Sequence, residues 1–218
     1  MSTPSPYYQD EHVTLYHGDC LTERREWLNA DVLVTDPPYG IDYQSGSRRD
    51  TLAASIQGDK DTAARDLVLA EFDGPALVFG TWRIPRPKDT RALLVWDTKG
   101  ALGMGDLSIP WKPSSQEVYV LGHGFTGRRT SNVLTYAPVQ SMSRNGREHP
   151  HQKPIPLMRD LIAKCPPGIV ADPFAGSGST LVAASILGRR AIGVELEERY
   201  CEVIAKRLSQ GAFDLAGL

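Results

Sequence analysis

Short apolar segments alternate with amphipathic stretches along most of the chain. Seven segments have the length and apolar content of buried β-strands, and they are residues 12–19 (HVTLYHGD), 31–35 (DVLVT), 75–80 (PALVFG), 91–97 (RALLVWD), 115–122 (SQEVYVLG), 168–173 (GIVADP) and 190–196 (RAIGVEL). Helical spacing of apolar residues predicts helices in five others, at 21–30, 59–72, 154–165, 179–187 and around 200–208. This alternation predicts an α/β fold with a mostly parallel sheet and helices on both faces.

Two parts of the chain deviate from this alternation. Segment 115–122 is predicted to be a strand that runs antiparallel to its predecessor at an edge of the sheet. Between Gly122 and Pro154 the pattern shows neither the strand period nor the helix period. We therefore predict that this stretch is irregular.

Composition adds limits to this picture. The chain has 218 residues, of which 41% are hydrophobic, and this suits one sizeable core and a single domain over residues 1–218. The net charge of −2 neither requires nor excludes a polyanionic partner, because local patches decide such binding. Three cysteines, Cys20, Cys165 and Cys201, form no CxxC pair, which predicts reduced, buried thiols and no metal site. The N-terminus has no leader pattern and no apolar run is long enough to cross a membrane, so no membrane association is expected.

A glycine-rich turn, DPFAGSG at residues 172–178, connects a predicted strand to a predicted helix. Gly176 and Gly178 let the backbone approach a ligand closely, and the helix N-terminus presents free N–H groups. Glu195 lies 19 positions after Gly176 at the end of the next strand, where a carboxylate can accept hydrogen bonds from both hydroxyls of a ribose. A dinucleotide site would require glycine in place of Leu181. The turn resembles the S-adenosylmethionine (SAM) loop of Rossmann-like methyltransferases, and the alternative is a purely structural turn.

The sequence DPPY at residues 36–39 ends another predicted strand. An exocyclic amino group of a base is a poor nucleophile because its lone pair is delocalised into the ring, so it needs acceptors on its hydrogens as a new bond forms. Asp36 offers a carboxylate for this purpose, and Pro37 offers a backbone carbonyl. Pro37 and Pro38 stiffen the turn, and Tyr39 offers an aromatic face for an extruded base. The alternative is a proline-rich loop that merely ends a strand.

With both motifs, the chain resembles the amino-methylating DNA methyltransferases, specific for N6 of adenine or N4 of cytosine, of the permuted group in which DPPY precedes the SAM loop. The resemblance covers nearly the whole chain and includes GDC at 18–20, the segments LLVWDTKG and SQEVYVLG, and HPHQKP at 149–154. It implies a Rossmann-like, SAM-dependent methyltransferase fold with an antiparallel edge hairpin, and SAM as the cofactor. It also implies double-stranded DNA as the partner, and the cytoplasm of a bacterial or phage-infected cell as the location.

The resemblance carries specific residues with it. The catalytic residues that it implies are Asp36, Pro37, Pro38 and Tyr39. The cofactor-binding residues that it implies are Asp19, Cys20, Asp36, Lys153, Asp172, Pro173, Phe174, Gly176, Ser177, Gly178, Thr180 and Glu195. Two of them have simple alternatives, since Asp19 suits an ordinary turn and Lys153 suits a solvated surface.

Basic residues are concentrated between His123 and Lys153, with five arginines or lysines against Glu148 alone, a local charge of +4. Such a patch can neutralise DNA phosphates, although charged runs are commonly just solvated surface. The candidates for DNA binding are Arg48, Arg49, Arg128, Arg129, Arg144 and Arg147. Residues 123–150 stand where the resembled family has its target-recognition insert. The segment is short for that role, which predicts relaxed specificity or a homodimer.

The identity of the target base rests on Asp36. Cytosine-specific members of the family more often have serine at this position, so we predict N6 of adenine, with N4 of cytosine as the alternative. Release-factor glutamine methyltransferases have asparagine there and place the SAM loop first in the chain, which disfavours a protein or RNA methyltransferase. A non-catalytic SAM-sensing or DNA-binding protein is a further alternative, against which the intact DPPY sequence stands.

Overall fold

The computed structural model describes residues 5–39, 61–100, 105–139 and 152–215, with side chains up to residue 210. Within these ranges nine strands form one sheet, and they are β1 (Tyr8–Gln9), β2 (Val13–His17), β3 (Val32–Thr35), β4 (Ala76–Gly80), β5 (Ala92–Asp97), β6 (Ser115–Leu121), β7 (Val133–Thr135), β8 (Val170–Asp172) and β9 (Ala191–Glu195). The helices are α1 (Ala63–Glu71), α2 (Ile155–Ile162), α3 (Ser179–Ile186) and α4 (Glu198–Leu215). All seven predicted strands are present. The order across the sheet is β1-β2-β9-β8-β3-β4-β6-β5-β7.

The middle of the sheet is parallel and buried on both faces. Strands β2, β9, β8, β3 and β4 are neighbours in that order, and each adjacent pair is parallel. Val32 and Val34 of β3 pack into one apolar cluster, and Leu33 packs into a second cluster on the opposite face. Since both faces are covered, this strand is apolar at successive positions and does not alternate with polar residues.

Helices cover the two faces unequally. Helices α2, α3 and α4 contribute to the first cluster, with Leu157 and Ile204 completely buried. The second face is covered by α1, through Val68, and by a 3₁₀ turn at Glu26–Asn29, through Trp27. Full burial of one such large side chain contributes roughly 1.5–3 kcal/mol to stability. The prediction of helices on both faces is confirmed.

The antiparallel end of the sheet differs from the prediction in one respect. Strand β6 is antiparallel to β5, as predicted, but it lies between β4 and β5 and is not itself an edge strand. The edge is formed by β7, which is parallel to β5 and lies in the stretch that was predicted to be irregular. The amide of Val95 donates to the carbonyl of Asn132 (2.8 Å), and Trp96 Nε1 donates to the carbonyl of Tyr136 (2.8 Å). With only three residues, β7 is too short for a periodic sequence pattern.

The helix predicted at residues 21–30 is wrong, since only a single 3₁₀ turn forms there. The carbonyl of Cys20 accepts Trp27 Nε1 (2.8 Å), and the amide of Arg24, which would bind this carbonyl in a helix, binds the carbonyl of Asp19 instead. The carboxylate of Asp19 accepts the amide of Leu21 (2.8 Å), and its carbonyl also accepts the amide of Glu23. Because a side chain has replaced the backbone partner of Cys20, this first turn does not continue as a helix.

All three cysteines are buried and free, as predicted. Burial raises the pKa of each thiol to about 12, which keeps them protonated and unreactive. In the part of the chain that the structure describes, no helix has the length and apolar character needed to cross a membrane.

Candidate active site

Four consecutive strands of the sheet end at one edge with acidic residues. Strands β2, β9, β8 and β3 are parallel neighbours, so their carboxyl ends meet along the same edge, where ligands bind in sheets of this kind. Asp19 follows β2, Glu195 ends β9, Asp172 ends β8 and Asp36 follows β3. The structure thus brings together the two motifs, DPPY and the glycine-rich turn, which lie more than 130 positions apart in the sequence.

A buried set of hydrogen bonds connects these two motifs directly. The hydroxyl of Thr35, the residue before Asp36, donates to Asp172 Oδ1 (2.7 Å). The hydroxyl of Thr180, in the first turn of α3, lies 2.7 Å from Asp172 Oδ2 and 3.2 Å from the carbonyl of Val34. We call this set the Thr35–Asp172–Thr180 bridge. Its three residues are 2–3% exposed, so it fixes the end of β3 against the start of α3.

The carboxylate of Asp172 forms hydrogen bonds both within this bridge and within its own turn. The amide of Phe174 also donates to Asp172 Oδ1 (3.1 Å), so three protein donors bind one carboxylate. Burial raises the pKa of Asp172 to about 6, and the hydrogen bonds from Thr180, Thr35 and Phe174 limit the rise. The side chain therefore acts within the protein as the link between two loops. The sequence pointed to Asp172 as a cofactor contact and did not identify Thr35.

The DPPY turn places Asp36 beside a buried cation. Pro37 is buried, whereas Asp36, Pro38 and Tyr39 are partly exposed. The hydroxyl of Tyr39 donates to Asp36 Oδ1 (2.6 Å), and Lys153 Nζ forms an ion pair with Asp36 Oδ2. The turn therefore holds the carboxylate in one orientation, with one side open to solvent.

Lys153 is 4% exposed, which excludes the alternative that it is a solvated surface charge. Its ammonium group lies 4.8 Å from the ring centroid of Phe79 on β4 and 6.0 Å from that of Tyr39. Aromatic faces at these distances attract a cation. The only carboxylate that the structure places against this ammonium, within the described residues, is that of Asp36.

The glycine-rich turn has the backbone geometry that its sequence predicts. Gly176 and Gly178 have φ angles of 53° and 75°, a conformation that favours glycine. The amide of Gly176 donates to Glu195 Oε2 (2.7 Å), and Ser177 is held by Arg207, which donates to its carbonyl oxygen. Pro173 is buried and Phe174 packs partly against the second apolar cluster. Hydrogen bonds from both sides thus hold this turn in place at the start of α3.

Leu181 occupies the position where dinucleotide-binding proteins need a third glycine. Here the close approach of helix and strand is made by a glycine on the strand: a Cβ atom at Gly193 would lie 2.4 Å from Leu181 Cδ1. The helix therefore packs closely on β9 with a bulky residue at this position. Leu181 at this position therefore distinguishes the turn from those of dinucleotide-binding proteins, as the sequence predicts.

Glu195 has the chemistry that a ribose needs. Its Oε1 accepts the amide of Glu197 (2.8 Å) and its Oε2 accepts the amide of Gly176, and each oxygen has two acceptor sites. Two ribose hydroxyls can bind alongside these amides, so the residues present fit a nucleoside cofactor. Burial raises the pKa of Glu195 to about 7, and the amides of Glu197 and Gly176 oppose this rise.

The turn after β2 lies next to Glu195, since His17 and Glu195 are paired across β2 and β9. Asp19 uses its carboxylate to accept the amide of Leu21, which is the turn role that the sequence left open. Cys20 is buried beneath this turn.

The predicted DNA contacts are only partly described. Arg128 and Arg129 are exposed, and the carbonyl of Arg128 accepts a hydrogen bond from Lys164 (3.2 Å). The other four candidates, Arg48, Arg49, Arg144 and Arg147, lie outside the described residues.

The geometry defines the class of a Rossmann-like methyltransferase, and comparison with known proteins specifies the family. The family described as N6_N4_Mtase, DNA methylase, matches residues 82–207, more than half of the chain. The Type II methyltransferase M2.LlaDCHI of Lactococcus lactis subsp. cremoris is 34% identical in an alignment that covers 95% of this chain and 93% of that protein.

Solved structures agree in fold. A crystal structure of an M1.HpyAVI–SAM complex has a TM-score of 0.64 and 19% identity, covering 90% of this chain and 98% of the other. The PvuII DNA methyltransferase, described as cytosine-N4-specific, has a TM-score of 0.69 and 16% identity, covering 93% and 88%. At such identities these two structures establish the fold alone.

The chain belongs to the N6_N4_Mtase family of DNA methylases. The predictions of the family, of the Rossmann-like fold and of SAM as the cofactor are confirmed. The protein is a DNA amino-methyltransferase, and the family includes both adenine-N6 and cytosine-N4 enzymes.

Proposed function

We propose that this protein methylates N6 of adenine in double-stranded DNA, with the target base turned out of the helix. One observation carries the proposal: the Thr35–Asp172–Thr180 bridge joins the end of β3 to the start of α3. It supports a single site in which the carboxylate of Asp36 and the glycine-rich turn face the same space. SAM supplies an electrophilic methyl group on a sulfonium sulfur.

The residues of the DPPY turn would act on the base. In our proposal Asp36 accepts one hydrogen of the amino group and the carbonyl of Pro37 accepts the other. These bonds concentrate electron density on nitrogen as the new N–C bond forms and the S–C bond breaks. The amino group then loses one proton, for which the carboxylate of Asp36 is the nearest acceptor. Pro38 keeps the turn rigid, and Tyr39 provides a surface on which the base stacks.

The residues around the glycine-rich turn would hold the cofactor. Glu195 is proposed to bind the ribose hydroxyls, with the backbone of Gly176, Ser177 and Gly178 against the methionine part and Pro173 and Phe174 beside it. Asp19 and Cys20 would border the adenine through their backbone. Asp172 and Thr180 would serve by fixing this turn, as their mutual hydrogen bond indicates.

The ion pair between Lys153 and Asp36 supports a role different from the one that the resemblance implies. The Lys153 side chain is only 5% exposed, and its ion pair holds the carboxylate of Asp36 in one orientation. We therefore propose that Lys153 positions Asp36 and does not bind the cofactor. Arg128 and Arg129, which are exposed, are proposed to contact phosphates.

The base and the activity can be tested together. The protein would be incubated with labelled SAM and unmodified genomic DNA, and the nucleosides would be separated by mass spectrometry. We expect N6-methyl-2′-deoxyadenosine from the DNA of the wild-type reaction and none with Asp36→Ala. Detection of N4-methylcytosine instead would show that the target is N4 of cytosine. Absence of any methylated base would overturn the proposal as a whole.

A further inference from the structure

The three most exposed large apolar side chains in the described part of the chain lie in two loops. Trp82 and Leu107 are each 77% exposed and Trp111 is 76% exposed, and Ile109 beside them is 51% exposed. Trp82 belongs to the loop between β4 and β5, and the other three belong to the connection from β5 to β6. Tryptophan is rarely so exposed unless it contacts a partner.

Both loops leave the sheet at the edge where Asp36 lies. Strand β4 is parallel to β3, and β5 has the same direction because β6 is antiparallel to both β4 and β5. Gly80 at the end of β4 and Val95 near the end of β5 both pair with Glu117 of β6. Since neighbouring strands are about 5 Å apart, the two loops start about 10 Å from each other.

The same two loops are positively charged. Their described residues include six cations, which are Arg83, Arg86, Lys88, Arg91, Lys99 and Lys112, and two acids, which are Asp89 and Asp106. This local charge of +4 contrasts with the net charge of −2 for the whole chain. The guanidinium of Arg83 lies 5.7 Å from the ring centroid of Trp82, so an aromatic ring and a cation are presented together.

We propose that Trp82 and Trp111, with the cations around them, form a surface that binds the DNA duplex beside the target base. Where a base is turned out of the duplex, the neighbouring base faces become accessible to an indole ring, and adjacent cations neutralise phosphates. A purely apolar partner would not explain the charge, and a polyanion alone would not explain the exposed rings. The inference rests on the proposed function, since it concerns the substrate of the same site.

Single and double alanine variants of Trp82 and Trp111 test this surface. The probe is a fluorescein-labelled duplex that carries one site methylated by the wild-type protein, with affinity measured by anisotropy at fixed salt. We expect each replacement to weaken duplex binding roughly tenfold, as loss of one stacking contact does. Trp82→Phe and Trp111→Phe should retain affinity within about threefold. Ile186→Ala, an exposed apolar residue on α3, is the matched control and should bind the duplex like the wild type.

The outcomes separate this inference from the proposed function. If the wild-type protein methylates DNA and the double alanine variant binds the duplex normally, the surface is not a DNA contact, and only this inference fails. Loss of self-association by that variant with unchanged DNA binding would assign the surface to a second copy of the chain and would also overturn the inference. Calorimetry should show unchanged SAM affinity in every variant, which verifies that the variants are folded.

Discussion

Two regions along one edge of the sheet differ in whether their side chains are buried and bonded within the protein or exposed to solvent. In the Thr35–Asp172–Thr180 bridge, each polar group is buried and bonded to another residue of the chain. A few strands away, Trp82 and Trp111 are more than three-quarters exposed. The comparison teaches that this protein anchors its proposed catalytic turn in the core, where geometry is rigid, and presents its proposed recognition surface on loops.

The largest effect should come from the carboxylate that faces the base. We expect Asp36→Ala to reduce methyl transfer at least roughly 10³-fold, since it removes the acceptor that strengthens in the transition state. SAM affinity, measured by calorimetry, should stay within about twofold. Asp36→Asn is the matched control, because it keeps the shape but not the charge and should remain severely impaired. Full activity in either variant would remove Asp36 from the mechanism.

Asp172→Ala should remove the hydrogen bonds of the Thr35–Asp172–Thr180 bridge. The hydroxyls of Thr35 and Thr180 and the amide of Phe174 would lose their acceptor, which should lower the free energy of unfolding by about 2–4 kcal/mol. We also expect kcat to fall roughly 10²-fold, because the DPPY turn would shift.

Asp31 provides the control for this prediction. It joins the same two segments at the opposite edge, where its carboxylate accepts the amide of Ile169 (2.6 Å). Asp31→Ala should reduce stability in urea unfolding but leave kcat within about twofold. Equal losses of kcat in both variants would show that the position of the bridge is irrelevant.

Replacement of Lys153 tests whether this residue positions Asp36 or binds the cofactor. We expect Lys153→Met to lower kcat roughly 10–100-fold, because the carboxylate of Asp36 loses the buried cation that orients it. SAM affinity should change less than threefold, and Lys153→Arg should restore part of the activity. A tenfold loss of SAM affinity with normal kcat would place Lys153 in the methionine pocket, as the family resemblance implies.

Glu195 should make SAM binding dependent on pH. Burial raises its pKa to about 7, and ribose hydroxyls bind the ionised form best, so SAM affinity should fall up to about tenfold per pH unit below pH 7. Glu195→Gln should bind weakly at all pH values and show a flat profile in calorimetry. A wild-type affinity independent of pH between 5.5 and 8 would exclude this role.

The same carboxyl makes a prediction for the protein without cofactor. Its pKa in the folded state is above the ordinary value of 4.5, so the folded state binds the proton more tightly than the unfolded state does. The stability that this provides is complete below about pH 4.5 and is lost as the pH rises through about 7. Asp172, with a pKa of about 6, acts in the same direction over a narrower range. Urea unfolding of the wild type and of Glu195→Gln across this range would measure the difference.

The smallest effect is expected from single exposed arginines. Arg128→Ala and Arg129→Ala should each weaken DNA binding about two- to threefold and reduce the slope of log affinity against log salt by about 1. Arg190→Ala, an exposed arginine that precedes β9, should leave the slope unchanged. An unchanged slope in the first two variants would remove this part of residues 123–150 from the DNA contact.

The chain's own pattern of residues determined the α/β class, the seven predicted strands and the two motifs. A short apolar run such as residues 31–35, followed by two prolines, is typical of a buried strand, and a turn with Gly176 and Gly178 before a helix is typical of a ligand-binding loop. These are local properties, since backbone preference and burial are decided by residues close in the chain. For that reason they were readable without a structure.

Tertiary structure decided what depends on distant partners. Thr35 has no distinguishing sequence signal, because its partner Asp172 is 137 positions away. Lys153 could be identified as the partner of Asp36 only once the two were seen together, 117 positions apart. The edge strand β7 exists because β5 offers it free backbone groups, and the place of β6 inside the sheet follows from pairing on both sides. Such pairings minimise the free energy of the whole fold, so no single segment contains the information that specifies them.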